Sequence, residues 1–315
     1  MLFRSRALPA PSRPLPAPKI LPAPPTWPAS DELSAWKLLP HTPDWAGGLR
    51  AHWTPGETGA KQRLKTFLDS AAPRYHQMRD LPARDGTSKL SPHLAFGEIS
   101  PREIWHAVAS LGPGAATEKF LTELGWREFA YNLLFHHDDL AERNVRPEFD
   151  AFPWRREDER TEAWRRGRTG YPIVDAGLRE LWTTGWMHNR VRMIATSFLT
   201  KDLLVDWRTG ERWFWDTLVD ADVANNAMGW QWVSGSGADA APFFRIFNPV
   251  LQGERFDPDG DYVRRWVPEL AHLPPETIHR PWTAAKALPP DLYPPRVVDH
   301  AAARDRALRA FRLLK

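Results

Sequence analysis

The sequence predicts an all-α domain with long loops, preceded by a proline-rich N-terminal extension. Segments with apolar residues at helical spacing follow one another from about residue 57 onward. The alternation of Val, Ile and Thr that is typical of strands is almost absent, and there is no βαβ rhythm, GxGxxG motif or P-loop. A large helical domain with 17 tryptophans and no metal motif favours an organic ligand held between helices.

The proline content divides the chain. Residues 1–30 are rich in proline and poor in core-forming residues, so we predict an extended, linker-like segment there. Residues 31–315 then form the helical domain, with short helical turns in a loop-like stretch up to Pro55 and continuous helical patterning after it. The hydrophobic share of 42% and the charged share of 26% are typical of a globular protein with a sizeable core.

Composition also excludes several classes of protein. The absence of Cys excludes disulfides, thiolate metal sites, Fe–S clusters and a Cys nucleophile, and we predict no metal site. No apolar stretch approaches the ~18 residues of a membrane span, and the N-terminus lacks a signal peptide. We therefore expect a cytoplasmic monomer, nucleoid-associated if bacterial. The net charge of +3 does not establish nucleic-acid binding, and the arginine bias fits either bidentate anion recognition or a GC-rich genome.

Helix boundaries are marked by caps and by apolar spacing. Ser100 and Glu103 form a capping box with Pro101 at the first helical position, which predicts a helix through about Leu111. A further short helix is expected to start at Ser91. The other predicted helices cover residues 61–68, 116–137, 172–181, 188–204, 210–219, 222–233, 261–267 and 299–314.

The first stretch with chemical potential is residues 85–92. Its glycine allows a turn, Thr87 and Ser88 offer hydroxyl and backbone N–H donors, and the helix that follows favours an anion at its start. These features fit a phosphate cradle. A plain capped turn explains the same residues and, on this stretch alone, is the better interpretation.

Two helical stripes carry polar groups. Glu123, Trp126 and Arg127 share one helix face, where they can hydrogen-bond, stack on and pair with a nucleobase, or form an exposed ion pair beside a core Trp. Asp222 and Asn226 stand at i and i+4 on an apolar segment. Capping explains the aspartate, whereas Asn226 needs a polar partner, because an unsatisfied buried group costs ~1–3 kcal/mol.

In their order along the chain, these stretches resemble those of the photolyase/cryptochrome family, and most closely the class I photolyases for cyclobutane pyrimidine dimers. The similarity covers roughly residues 55–270. The motifs that carry it are Tyr75 and residues 86–91, 123–129, 170–176, 186–190, 220–232, 244–249 and 252–253.

The resemblance implies a helical FAD-binding domain. It also implies light-driven repair of cyclobutane pyrimidine dimers in DNA, by electron transfer from reduced FAD to a flipped-out dimer. Asn226 is expected to face the flavin N5, and Arg192 to pair with Asp220. The residues expected to bind the cofactor are Tyr75, Thr87, Ser88, Lys89, Leu90, Ser91, Arg192, Asp220, Asp222 and Asn226.

The resemblance further implies contacts to the lesion and the DNA. Glu123 is expected to hydrogen-bond the base edges in its protonated form, beside apolar walls of Trp126 and Trp232, with Asn189 and Met193 completing the pocket. The expected DNA contacts are Arg79, Glu123, Trp126, Arg127, Asn189, Arg190 and Gln252. An electron-hopping chain is expected through Trp154, Trp207 and Trp230.

Family members normally begin with an α/β antenna domain, and nothing in this chain resembles one. We expect a chain that starts at the interdomain linker, either as a fragment or as an antenna-less form. Two other functions remain open: a cryptochrome-like FAD photosensor without repair activity, and an inactive, truncated DNA-binding fragment. Asn226, Met193 and Glu123 together favour repair.

Overall fold

A computed structural model of the chain describes residues 10–40, 42–239, 244–284 and 289–314. Helices dominate these ranges, and their only β-type pairing is an isolated bridge between Arg155 and Val205. The predicted all-α fold is confirmed. The helices are α1 Gly47–His52, α2 Glu57–Ser70, α3 Tyr75–Met78, α4 Ser91–Ala95, α5 Pro101–Ala109, α6 Ala115–His136, α7 Glu159–Arg165, α8 Pro172–Thr184, α9 Asn189–Ser197, α10 Trp207–Thr217, α11 Val223–Ser234, α12 Pro249–Phe256, α13 Asp261–Trp266, α14 Pro275–Ile278 and α15 His300–Arg312.

The predicted helices are all present, with shifted ends. Ser100 caps α5 by accepting a hydrogen bond from the Arg102 N–H. The segment predicted as one helix over 188–204 is instead α9 followed by a π-helical turn, Phe198–Asp202. The short helices α1, α3, α7, α12 and α14 were not predicted individually, because they span four to eight residues and offer too few turns for a periodic pattern.

The N-terminal extension has no helix or strand over residues 10–30, as expected for a proline-rich segment, and residues 1–9 lie outside the described ranges. Two contacts join it to α5. Arg102 donates to the Ser12 hydroxyl at 3.0 Å, and His106 Nε2 lies 2.9 Å from the Pro11 carbonyl oxygen. The division of the chain at residue 30 stays a prediction.

Two of the three buried cores among the described residues flank the site described below. The larger one joins α8, α9, α10, α11 and α13 around fully buried Trp164 and Trp207, and the smaller one joins α2, α5 and α6 around Phe67 and Phe120. Helix α11 packs against both α6 and α10. A cavity between these groups of helices is therefore walled by side chains from both cores. Within the described ranges, no helix is both long and apolar enough to cross a membrane.

One glycine allows a close approach of two helices beside the cavity. A Cβ on Gly210 of α10 would lie 2.0 Å from the Trp230 ring of α11. Only glycine lets these two helices approach so closely. The contact holds the Trp230 ring against α10 at the cavity.

Candidate functional site

The helices enclose a cavity of about 630 Å³. Its lining comes from stretches that are far apart in sequence: the loop before α4, one face of α6, the start of α9 and the length of α11. The predicted site residues that line it are Tyr75, Arg79, Thr87, Ser88, Lys89, Leu90, Ser91, Glu123, Trp126, Arg127, Asn189, Arg190, Arg192, Met193, Asp220, Asp222, Asn226, Trp230 and Trp232. Gln252, Trp154 and Trp207 are not among the lining residues.

The loop before α4 presents hydroxyl groups to the cavity. The Ser88 hydroxyl accepts from the Leu90 N–H at 3.4 Å, and the Ser91 hydroxyl accepts from Trp186 Nε1 at 3.4 Å. Each hydroxyl acts as an acceptor in these bonds and keeps its own proton to donate. Lys89 adopts a left-handed backbone with φ of 51° and pairs with Asp85 at 3.0 Å. The loop therefore offers hydroxyl donors and one cation. A phosphate group can accept hydrogen bonds from both kinds of group.

An ion pair joins α9 to the turn before α11. Arg192 Nη2 donates to both carboxylate oxygens of Asp220, at 3.0 and 2.8 Å, and its Nε donates to the Met187 carbonyl oxygen at 2.7 Å. The Asp220 side chain is only 3% exposed, against 23% for Arg192. The pairing of these two residues that the resemblance implied is confirmed by these distances, while their role toward the cofactor stays a prediction.

Asn226 has the polar partner that the sequence required. Its Nδ2 donates to the Glu211 carbonyl oxygen at 3.0 Å and to Glu211 Oε1 at 2.9 Å. Burial raises the pKa of Glu211, and the hydrogen bond from Asn226 opposes that shift. With the amide nitrogen used in this way, the carbonyl oxygen of Asn226 remains the acceptor for a ligand. Glu211 was missed, because its pairing crosses from α10 to α11.

Asp222 acts as the N-cap of α11. Its Oδ1 accepts from the Asn225 N–H at 2.8 Å, and its Oδ2 accepts from the Tyr131 hydroxyl of α6. The capping interpretation is therefore confirmed. A direct contact between Asp222 and a cofactor stays a prediction.

We call Asp220, Arg192, Asn226 and Trp230 the inner wall of the cavity. Trp230 is 2% exposed, and its Nε1 is buried without a hydrogen-bond partner in the described part of the chain. The inner wall thus combines a buried ion pair, a fixed amide and an indole. Together with the hydroxyls at 87–91, this set fits a dinucleotide that carries both phosphates and a heterocycle.

We call Arg79, Lys119, Glu123 and Arg190 the charged rim. The Glu123 carboxylate pairs with Arg79 and, at 3.1 Å, with Lys119 one helical turn earlier. Their side chains are 12% exposed for Arg79, 29% for Glu123 and 45% for Lys119. Two cations thus lie at one carboxylate in this structure, and the hydrogen bonds from Glu123 to the base edges, expected in its protonated form, stay a prediction.

Asp80 extends the charged rim to α9. Its Oδ1 accepts from Arg190 Nη2 at 2.9 Å, and Arg190 also lies over the Phe256 ring at 4.4 Å. Arg190 Nε and Gln252 Oε1 are both buried without a hydrogen-bond partner in the described residues. Lys119 and Asp80 were missed, although the i, i+4 spacing of Lys119 and Glu123 was a usable signal.

His188 sets the start of α9, which carries Asn189 and Met193. Its Nδ1 accepts from the Arg190 N–H at 3.2 Å, so His188 is the N-cap of α9. Burial lowers the pKa of His188 to about 3. The ring is therefore neutral near pH 7, and its Nε2 is buried without a partner in the described ranges.

The three tryptophans of the expected electron chain have different surroundings. Trp207 is fully buried and donates to Asn144 Oδ1 at 2.8 Å. Trp154 is partly buried and packs on Phe152 with ring centroids 4.4 Å apart. Trp230 packs on Phe214 at 4.9 Å and on Trp164 at 6.3 Å. The relay through these residues stays a prediction.

Among the described residues, no group of three or more His, Cys, Asp or Glu side chains is placed to hold a metal ion.

The sequence profile described as the FAD binding domain of DNA photolyase matches residues 120–313. A deoxyribodipyrimidine photo-lyase of Agrobacterium fabrum is 57% identical, over 97% of this chain and 66% of the relative. The chain thus spans just under two thirds of that relative's length.

Two solved structures are similar. A bacterial class III photolyase from Agrobacterium tumefaciens has a TM-score of 0.93 and 55% identity, over 98% of this chain and 66% of its own. A Synechocystis cryptochrome has a TM-score of 0.78 and 34% identity, over 82% of this chain and 56% of its own. The first of these belongs to class III, whereas the sequence led us to expect class I. The family and its FAD-binding helical domain are confirmed.

Proposed function

Because the chain belongs to the DNA photolyase/cryptochrome family, we propose that it is the catalytic domain of a light-dependent lyase. The substrate is DNA that contains cyclobutane pyrimidine dimers, and the cofactor is FAD. The observation that carries the proposal is the cavity itself. One side of it offers fixed groups suited to a dinucleotide, and the other offers charged and aromatic side chains suited to a flipped-out pyrimidine dimer.

The inner wall and the loop at 87–91 serve the cofactor. Thr87, Ser88 and Ser91 donate to the phosphates, with Lys89 supplying positive charge nearby. The Asn226 carbonyl oxygen accepts from an N–H of the flavin ring, because Glu211 holds the amide nitrogen of Asn226. Bound in its reduced form, FAD would supply on photoexcitation the electron that opens the cyclobutane ring, and would take it back afterwards, so that repair involves no net change of oxidation state.

The walls beside the charged rim accept the flipped-out dimer. A lesion stacks and pairs poorly, so its extrusion from the duplex costs little. Trp126 and Trp232 provide apolar faces, and Asn189 and Met193 fill the space at the start of α9. This pocket excludes water from the bases on which the electron arrives.

Binding of DNA exchanges the ion pairs of the charged rim. Without DNA, Glu123 pairs with Arg79 and Arg190 pairs with Asp80. Phosphate oxygens compete for both guanidinium groups, because arginine binds phosphate bidentately. Glu123, released from Arg79, then hydrogen-bonds the base edges of the dimer. The unpartnered Arg190 Nε and Gln252 Oε1 supply one further donor and one acceptor.

We further propose the class III assignment, on the strength of the 55% identity to the Agrobacterium class III photolyase. The similarity to a cryptochrome keeps one alternative, a photosensor that binds FAD without repair. The Trp154–Trp207–Trp230 relay serves either function, since each requires reduction of the flavin.

The test is repair by the purified, FAD-loaded chain. A duplex with one thymine dimer is illuminated with blue light, and restored thymines are counted against a dark control. Repair that needs both light and flavin supports the proposal. Bound flavin without repair supports the photosensor, and absence of flavin supports an inactive fragment.

A further inference from the structure

A second cationic site lies outside the cavity, where α15 meets the chain around Arg155. Arg306 of α15 donates through Nη2 to the Asp202 carbonyl oxygen, and the Arg155 N–H donates to the Leu204 carbonyl oxygen at 2.7 Å. Residues 202–204 thus bring Arg155 and Arg306 together. None of the arginines at this place is among the residues that line the cavity.

Four guanidinium groups share this place. Arg155, Arg160 and Arg309 are all near enough to Arg306 to repel it electrostatically. Burial, followed by the repulsion from Arg155 and Arg160, lowers the pKa of Arg306. Since like charges gathered in this way cost free energy, an anion among them would stabilise the arrangement.

The carboxylates nearby do not neutralise the cluster. Asp158 is occupied by Arg160, with Nε at 2.9 Å, and buried Asp202 is paired with His300 at 2.5 Å. Within the described ranges, no carboxylate lies at ion-pair distance from Arg155 or Arg309. Asp202 attracts Arg306, whereas Arg155 and Arg309 have no ion-pair partner among the described residues.

Two buried N–H groups in residues on α15 or packed against its buried face also lack acceptors. Arg306 Nε and the indole Nε1 of Trp154, the residue before Arg155, are buried without a hydrogen-bond partner in the described part of the molecule. Buried donors are nearly always paired in native proteins. Unpaired donors beside uncompensated arginines indicate an acceptor that comes from outside the chain.

We propose that Arg155, Arg160, Arg306 and Arg309 form a binding site for a phosphate group, separate from the cavity. The planar guanidinium groups match the oxygens of a phosphate, and their exposed members admit it from solvent. The phosphate belongs either to a small phosphorylated molecule or to the backbone of nucleic acid.

The test is calorimetric titration of the FAD-loaded protein with pyrophosphate, in the dark and without lesion DNA. Bound FAD occupies the place where its own phosphates lie in the cavity, so pyrophosphate cannot bind there and add to the measured heat. We expect saturable binding that weakens about tenfold or more in the double variant Arg155→Gln/Arg309→Gln, through the loss of charge-assisted bonds. Both residues are exposed, and equal thermal midpoints check that the fold is kept.

The matched control is Arg166→Gln/Arg304→Gln, which removes the same two charges from exposed arginines that already pair with carboxylates. It should change the affinity less than about twofold, as expected for charges outside the site. Absence of binding to the unaltered protein overturns the proposal, and so does an equal loss in the control.

Competition identifies the source of the phosphate. Undamaged duplex DNA that displaces pyrophosphate, and binds less tightly to the test variant, indicates nucleic acid. Displacement by a nucleotide but not by duplex DNA indicates a small molecule. Both outcomes support the site, and neither depends on repair, so the lyase proposal can fail while this one stands.

Discussion

The inner wall and the charged rim of the cavity use the same kinds of polar group in opposite ways. On the inner wall, Asp220 is almost fully buried and accepts two hydrogen bonds from Arg192, and Asn226 is fixed by Glu211. On the charged rim, Glu123 pairs with two cations, and its side chain is 29% exposed. The inner wall is preorganised, whereas the pairs of the charged rim can exchange partners.

This difference matches the two tasks that we propose. A cofactor that stays bound benefits from groups already fixed in place, because little ordering remains to be done on binding. A DNA lesion that must enter and leave benefits from ion pairs that exchange at low cost. The carboxylates of the charged rim keep contact with solvent, with Glu123 29% and Asp80 35% exposed against 3% for Asp220, which lowers the cost of exchange. Four substitutions test whether the two regions differ in this way.

The largest expected effect is on the inner wall. Arg192→Met leaves the Asp220 carboxylate buried without its cation, which costs about 3–5 kcal/mol. We expect that loss in the free energy of unfolding, measured by urea denaturation, together with loss of bound FAD. The control is Arg208→Met, which breaks a more exposed pair with Asp206 and should cost under about 1 kcal/mol. Equal losses would remove the distinction between buried and exposed pairs.

On the charged rim, Glu123→Ala should leave FAD bound and reduce repair. The carboxylate provides charged hydrogen bonds worth about 1.5–3 kcal/mol each, so the yield or the lesion affinity should fall roughly 10- to 100-fold. Photoproduct counting and lesion binding measure this. Glu123→Gln keeps the shape of the side chain and one acceptor. Its repair yield should therefore lie between that of the unaltered protein and that of Glu123→Ala. Wild-type repair by Glu123→Ala would contradict the role of the carboxylate.

His188 links the two regions through α9, and it makes them sensitive to acid. Its pKa is about 3 when folded and 6.5 in the reference state, so the unfolded chain binds more protons between these values. The contribution of neutral His188 to the free energy of unfolding is therefore fully present above pH 6.5. It decreases as the pH falls towards 3, by up to about 1.4 kcal/mol per pH unit.

The variant His188→Asn separates the two roles of this residue, the capping of α9 and the uptake of a proton in acid. Asparagine is a good N-cap, so α9 should keep its start, while the acid dependence should weaken. Urea denaturation at several values between pH 5 and 7 gives both slopes. An unchanged slope would mean that another group causes the acid sensitivity.

The smallest expected effect is on the salt dependence of DNA binding when one charge of the charged rim is removed. Arg79→Gln removes one phosphate contact, and the slope of log K against log salt should become shallower by about 0.9. Anisotropy with undamaged and dimer-containing duplexes measures it. Arg74→Gln, an exposed residue in the same chain segment outside the cavity, is the control and should leave the slope unchanged.

Local signals predicted the fold better than they predicted the partners in the site. The Pro101 helix start and the long α6 follow from capping and apolar spacing, which act within a few residues. The need of Asn226 for a partner was also readable from its apolar surroundings. That the partner is Glu211 was not readable, because it depends on how α10 packs against α11 around Gly210.

Clusters of ion pairs were the least predictable part. Lys119 and Arg79 reach Glu123 from α6 and from beside α3, and only the folded structure brings both cations together. The same holds for the arginines around Arg306, which come from α7, α15 and the chain just before α7. Sequence spacing shows pairs on one helix, whereas these clusters join several elements.

The most direct test of the account is single-turnover repair by the FAD-loaded chain. A dimer-containing duplex is mixed in excess of the reduced protein, flashed with blue light, and assayed for restored thymines beside a dark sample. The account predicts repair in the light alone, lost in the variant Arg192→Met that loses its flavin and reduced in Glu123→Ala that keeps it. Flavin-loaded protein that binds the duplex but restores no thymines in the light would contradict it.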